Sequence, residues 1–262
     1  MSTPGSTTAA VTAGEGLTLV LPGRSVPAGD GVKWIGDGWR LYTKAPLMWI
    51  LALLILIVIA VVVSLVPIIG SLAFQVVTPV FYGGLVVACR ALERGEDFEL
   101  EHLFAGFKTQ FANLMVIGVV FLVGMILIFA VFALFVGFGV LGAILTGNTE
   151  TAVSSIAASG FAILLGLLVM LALMVPLVAA YWFAPALVIM HGMAPLAAMK
   201  ASFGACMRDF IPFLVYGIIM TVLVCIAMIP LGLGLLVWIP LTFTSTYAAY
   251  RGIFTEDAAV GA

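Results

Sequence analysis

Ten hydroxyl- or indole-bearing residues, Thr78, Tyr82, Tyr181, Trp182, Thr242, Thr244, Ser245, Thr246, Tyr247 and Tyr250, stand near Pro79, Pro176, Pro185 and Pro240 in otherwise apolar sequence. A proline inside a helix removes a backbone hydrogen bond and bends the helix, and hydroxyls beside the bend offer donors and acceptors without charge. That chemistry suits binding better than proton transfer. Two uses are open. Kinked helices could enclose an amphipathic cleft lined by Thr78, Tyr82, Tyr181, Trp182, Thr242, Thr244, Ser245, Thr246 and Tyr247; alternatively, Ser and Thr bond the carbonyls four residues back in their own helices.

Other constellations offer less. "GFGVLG" (137–142) fits G-x-G-x-x-G in letters but follows no strand, so close helix packing through small residues explains it better than dinucleotide binding. His102 and His191 lie in separate segments without a second ligand at metal spacing. Cys89, Cys206 and Cys225 are scattered in apolar surroundings and read as small buried side chains. The acidic stretch "ERGEDFELEH" (93–102) reads as a solvated loop ahead of a cation site. Nucleophile elbow, P-loop, HExxH and paired intramembrane aspartates are all absent from the sequence. Neither catalysis nor a cofactor is expected.

The elements that position these residues follow from composition. Of 262 residues, 64% are hydrophobic and 8% charged, against about 25% charged in an average soluble domain. A helix crossing the roughly 30 Å hydrocarbon core needs about 20 apolar residues. Apolar runs at about 46–66, 70–90, 111–136, 160–188, 211–229 and 232–250 predict six transmembrane helices in an all-α membrane protein. Lack of alternation excludes a β-barrel. Residues 1–27 read as a disordered tail, since "LTLVL" is too short for a signal-peptide core. The membrane domain spans 28–254, and 255–262 form a second tail.

All ten Lys and Arg flank one side of this layout; the connections "VPIIG", "LTGNTETAVSSIAAS" and "IPLGLG" carry none. The positive-inside rule makes that side the cytoplasm and places both termini there, in a bacterial inner membrane. No span carries a charge near its centre, which argues against proton- or sodium-coupled transport. Nothing basic enough for nucleic acid is present. Membrane lipids are the expected partners, with a protein partner or a homo-oligomer left open.

Internal similarity groups the spans. "GWRLYTKAPLMWI" (38–50) matches "GFKTQFANLMVIG" (106–118), and "SFGACMRDFIPFLVYG" (202–217) is a looser copy. Pro79 and Pro240 each open a segment that ends eleven residues later in arginine, Arg90 and Arg251. Three parallel pseudo-repeats follow, at about 28–95, 96–192 and 193–254, each an interfacial amphipathic helix plus a two-span hairpin. The second is longer by about 30 residues around 132–160, as an added cap or a variable loop. In the first interfacial helix Lys33, Asp37, Arg40 and Lys44 form a polar stripe, opposite Ile35, Trp39 and Tyr42. The expected interfacial anchors are Lys33, Trp34, Trp39, Arg40, Lys44, Phe107, Lys108, Phe203 and Arg208.

The segments "APLMWI", "CRALERGE", "HLFAGF", "YWFAPALVIMHGMAPLAAMKASF", "IPFLVYG" and "YAAYRGIF" resemble an uncharacterised family of proteobacterial integral membrane proteins. The layout is more loosely similar to the membrane domain attached to some glycerophosphoryl diester phosphodiesterases. The resemblance implies a helical bundle of the inner membrane and carries no functional residues with it. Two functional expectations remain. In one, a lipid or other amphipathic molecule binds, and in a stronger form moves, between the even-numbered spans; in the other, the protein is a non-catalytic scaffold whose interfacial helices dock a partner.

Overall fold

The computed structural model describes residues 12–13, 17–145 and 149–257, with side chains over 17–137 and 160–256. Helices dominate: α1 (Asp30–Lys44), α2 (Pro46–Ser64), α3 (Ile69–Glu93), α4 (Ala105–Lys108), α5 (Phe111–Leu145), α6 (Thr149–Trp182), α7 (Ala184–His191), α8 (Pro195–Arg208), α9 (Phe210–Met228) and α10 (Leu235–Phe254). A 3-10 turn at Leu100–Phe104 precedes α4. Prolines set several boundaries. Pro46, Pro185 and Pro195 sit in the first turns of α2, α7 and α8, where the missing N–H has no intrahelical role. Between α2 and α3, Ile68 follows Pro67 with φ 64°; between α9 and α10, Leu231 follows Pro230 with φ 54°.

Among the described residues, five segments are long and apolar enough to cross a membrane: Pro46–Ser64, Ile69–Glu93, Phe111–Gly137, Gly160–His191 and Phe210–Met228. Their exposed surface is largely apolar. Leu54, Ile57, Val58, Val61 and Val62 of α2 point outward together, a patch far larger than soluble monomers tolerate and at home in lipid. The sixth expected span is α10. At 20 residues it has the length, but its hydroxyl run and Arg251 keep it from being as apolar as the other five. Its polar half is instead buried in protein, with Thr244 and Ser245 fully covered.

The chain forms two compact units, one made of the chain up to Gly118 together with Ala180 onward, the other of Val119–Ala179. This partition cuts across the expected boundaries near 95 and 192. The second unit is the hairpin of α5 and α6, antiparallel because Gly124 meets Leu177 and Gly166 meets Phe135. The expected cap or loop around 132–160 takes another form: the extra residues lengthen the two helices to 35 and 34 residues. At 1.5 Å per residue each is about 50 Å long, well beyond a hydrocarbon core of roughly 30 Å. The side chains of "GFGVLG" beyond Gly137 lie outside the described residues, so the expected small-residue packing there is untouched.

In the first unit, backbones approach closely. A Cβ on Gly84 of α3 would come within 2.3 Å of the Leu103 carbonyl oxygen, and one on Gly38 of α1 within 2.5 Å of the Ser245 backbone nitrogen. Glycine is therefore required where the 3-10 turn crosses α3 and where α1 crosses α10. The tails also depart from expectation. Residues 17–27 are ordered: β2 (Leu17–Leu19) pairs antiparallel with β1 (Thr12–Ala13) and with β3 (Thr255–Asp257), matching Thr18 to Glu256. Leu17 and Leu19 are buried, which gives "LTLVL" a core role a local reading could not assign.

Candidate functional site

α1 is the starting point, since its sequence makes two faces. Gly31, Trp34, Gly38 and Tyr42 recur at helical spacing and are buried. The Trp34 ring lies 5.1 Å from that of Phe213 and 6.2 Å from that of Tyr216. Trp34 is thus a core residue of the α1–α9 contact, a correction to its reading as an interfacial anchor. Trp39, by contrast, is 47% exposed with its ring against Tyr42. Burial raises the Tyr42 phenol above its ordinary pKa.

The polar stripe of α1 faces a broad, partly open chamber of about 1060 Å3. Asp30, Lys33, Asp37, Arg40 and Lys44 supply one wall, with Trp34 and Leu41 among them. The ends of α3 and α10 supply the floor through Glu93, Tyr247, Ala248, Arg251 and Gly252. Thr18, Arg24, Thr255 and Glu256 close the side where β2 meets β3. Five cations and four carboxylates line it.

Glu93, the last residue of α3, organises the floor. Its Oε1 accepts from Arg251 Nε (2.8 Å), and its Oε2 from Arg90 Nη1 (2.7 Å) and from the Tyr247 hydroxyl (2.6 Å). Three donors from two helices converge on one half-buried carboxylate, tying α3 to α10 by charge-assisted bonds. Lys44 Nζ donates to the Leu92 carbonyl oxygen (2.6 Å), bringing α1 to the same helix end. Arg251 also donates to Thr255 Oγ1 (2.6 Å), and Arg24 lies 3.7 Å from Glu256, so the strands belong to the same network.

The residues expected to line an intramembrane cleft are dispersed. Thr78 donates to the Phe74 carbonyl, Thr242 to that of Trp238, Thr244 to those of Pro240 and Leu241, and Ser245 to that of Leu241. These are the bonds back along the same helix that the sequence left open. Ser245 additionally meets the Tyr216 hydroxyl at 2.8 Å, and Thr246 is buried. Tyr82 is half-buried beside Phe243, with its covered hydroxyl unpartnered among the described residues. Tyr181 is half-buried; the Trp182 ring packs edge-on to Phe213 and Tyr216. Of this set only Tyr247 reaches the chamber. A second cavity, beside Trp49 and Phe243, measures about 10 Å3, the size of a single water at most.

Of the other expected anchors, Phe107 and Phe203 are each 38% exposed, as an interface requires. Lys108 pairs with Glu101, whose carboxyl the Lys108 hydrogen bond holds below its usual range. Arg208 serves the protein instead: it pairs with the buried Asp209 and donates to the carbonyls of Gly23 and Arg24, holding the N-terminal segment in place. Cys89 and Cys206 are buried and Cys225 is exposed; burial pushes the Cys206 thiol up to about 12. His102 accepts from the Glu99 backbone N–H as a cap, and His191 meets the Tyr250 hydroxyl at 2.7 Å. Sequence reasoning found the α1 stripe but missed Arg24, Glu93, Arg251 and Glu256. Arg90 and Arg251 did stand out as matching repeat positions, and that was the available signal.

The sequence is 29% identical over 252 residues, 87% of this chain and 92% of the other, to a probable inner membrane protein of Burkholderia thailandensis. With five membrane-length apolar helices beside it, that similarity decides the class. This chain is an integral membrane protein. The resemblance to bacterial inner-membrane proteins read from its segments holds along nearly the whole of the membrane protein's length. No protein-family model matches it, and no solved structure does.

Proposed function

We propose that this protein is a non-catalytic inner-membrane protein that binds an amphipathic molecule, with the molecule's polar end in the chamber beneath α1. The chamber itself carries the reading. At about 1060 Å3 it matches the upper end of small-molecule sites, roughly 300–1,000 Å3, and two aromatics, Trp34 and Tyr247, stand among ionic groups. The ligand's place therefore moves from the middle of the even spans to their charged ends, where Tyr247 and Arg251 stand. Lipid headgroups occupy that depth if α3 and α10 cross the membrane.

The wider architecture belongs to the same proposal. α10 is the sixth span, buried polar half inward, and both termini are cytoplasmic with all ten cations. Three parallel repeats account for the recurrence of a short helix ahead of each hairpin and for the left-handed residue after proline in the turns at Ile68 and Leu231.

Scaffolding is the second reading. The exposed Leu196, Phe203, Met207 and Phe210 along and just after α8 favour it. Charge reversal at Lys33, Arg40 and Lys44 then removes a crosslinked protein partner while insertion persists. The ligand reading is tested by purifying the protein in native nanodiscs and identifying co-purified lipid. Ala248→Trp, which fills the chamber from its floor, is expected to lose a lipid that the wild type retains. An identical lipid profile in both overturns the reading.

A further inference from the structure

The charges of the chamber do not cancel pairwise. Arg24 pairs with Glu256, Arg40 with Asp37 and Arg251 with Glu93. Among the described residues Lys33 and Lys44 have no carboxylate within ion-pair distance, and Asp30 has no cation. Asp30 is accounted for within its own helix, since a negative charge in the first turn is favoured by the α1 dipole. Lys44 sits in the last turn of α1, where the helix dipole favours a cation, yet no carboxylate of the chamber neutralises it. It lies three turns further along α1, about 16 Å from Lys33 by helical rise, so the two ammonium groups serve different ends of the chamber.

Lys44 is also the better held. One of its three N–H donors reaches the Leu92 carbonyl at 2.6 Å, which fixes the ammonium over the end of α3 and leaves two donors unused. One turn back on the same stripe stands Arg40, 77% exposed, with Asp37 on one side of its guanidinium and the rest of the donor fork open. A fixed ammonium beside a planar fork suits a tetrahedral oxyanion with several acceptor oxygens. We infer that Lys44 and Arg40 hold a phosphate group, the anionic anchor of the molecule that occupies the chamber.

This rests on the ligand reading above, and the experiment separates the two. Full-length protein in dodecyl maltoside is titrated by native mass spectrometry with phosphatidylglycerol, with a galactosyl diacylglycerol of the same acyl chains, and with inorganic phosphate. Phosphatidylglycerol is expected to bind the wild type at least about tenfold tighter than the galactolipid. Lys44→Gln should lose about that factor for phosphatidylglycerol alone, Lys44→Arg should restore most of it, and Lys200→Gln on α8 should change nothing. Arg40→Gln provides a second variant with the same expected direction. If millimolar inorganic phosphate binds and displaces the lipid, the anchor is phosphate from a free source; if it does not, the source is the lipid headgroup. Equal binding of the two lipids, each displaced by Ala248→Trp, overturns the phosphate anchor and keeps the amphipathic site. Binding of neither overturns both.

Discussion

Glu93 shows how much one side chain can organise at the end of a helix. Its carboxylate takes three donors from α3 and α10, and the network behind the chamber converges on it. Glu93→Ala leaves Arg251 without that carboxylate, and the expected cost is about 1–3 kcal/mol, below the roughly 3–5 kcal/mol of a fully buried pair because the carboxyl is 30% exposed. Thermal unfolding in detergent checks it, with Tyr247→Phe expected to cost about 1 kcal/mol. The two tryptophans of α1 make a sharper contrast. Trp34→Ala should cost about 3–5 kcal/mol as a fully buried aromatic, whereas Trp39→Ala should fall within about 0.5 kcal/mol. Comparable losses from both substitutions would contradict the assigned faces. Sequence alone could not separate them, because both are aromatic, both precede an apolar run, and interfacial and core tryptophans look alike in composition. A clue was present: Gly31 and Gly38 frame Trp34 at helical spacing, and small residues mark the side where a neighbouring backbone comes close.

At the scale of elements, α1 is fastened down and does not float at the interface. Gly38 allows it to touch α10, so Gly38→Val should lift α1 and expose the 20–30 segment to limited proteolysis that the wild type resists. Unchanged protection would show that the close approach is dispensable. The helical elements were legible in sequence because length and hydropathy are local properties: all five membrane-length helices coincide with apolar runs. What escaped was non-local. β2 and β3 lie 238 residues apart at Thr18 and Glu256, and no pattern within either segment announces the other. The hydroxyl-rich half of α10 was ambiguous in another way: of the two uses the sequence left open, Thr242, Thr244 and Ser245 take the bonds back along their own helix. The floor of the chamber was hidden for a related reason. Glu93 read as one acid among several in a solvated loop, and only folding brings Tyr247 and Arg251 to it.

At the scale of the whole molecule, the unit made of the chain up to Gly118 and from Ala180 onward gathers the ionic groups of the chamber at the ends of α3 and α10. Reporter fusions test the proposed orientation: one after Gly95 should report cytoplasm and one after Leu145 periplasm, and the reverse pattern would place the chamber on the outer face. The proposed lipid site draws on the absence of charge near the centres of the spans and on the chamber at the ends of α3 and α10. The most direct measurement is crosslinking in whole membranes with a lipid carrying a photoactivatable headgroup, followed by peptide mapping. The account predicts crosslinks concentrated in residues 33–44 and 247–256 and lost in Ala248→Trp. Crosslinks spread evenly over the exposed faces of α2, α5 and α9, and indifferent to Ala248→Trp, would contradict it.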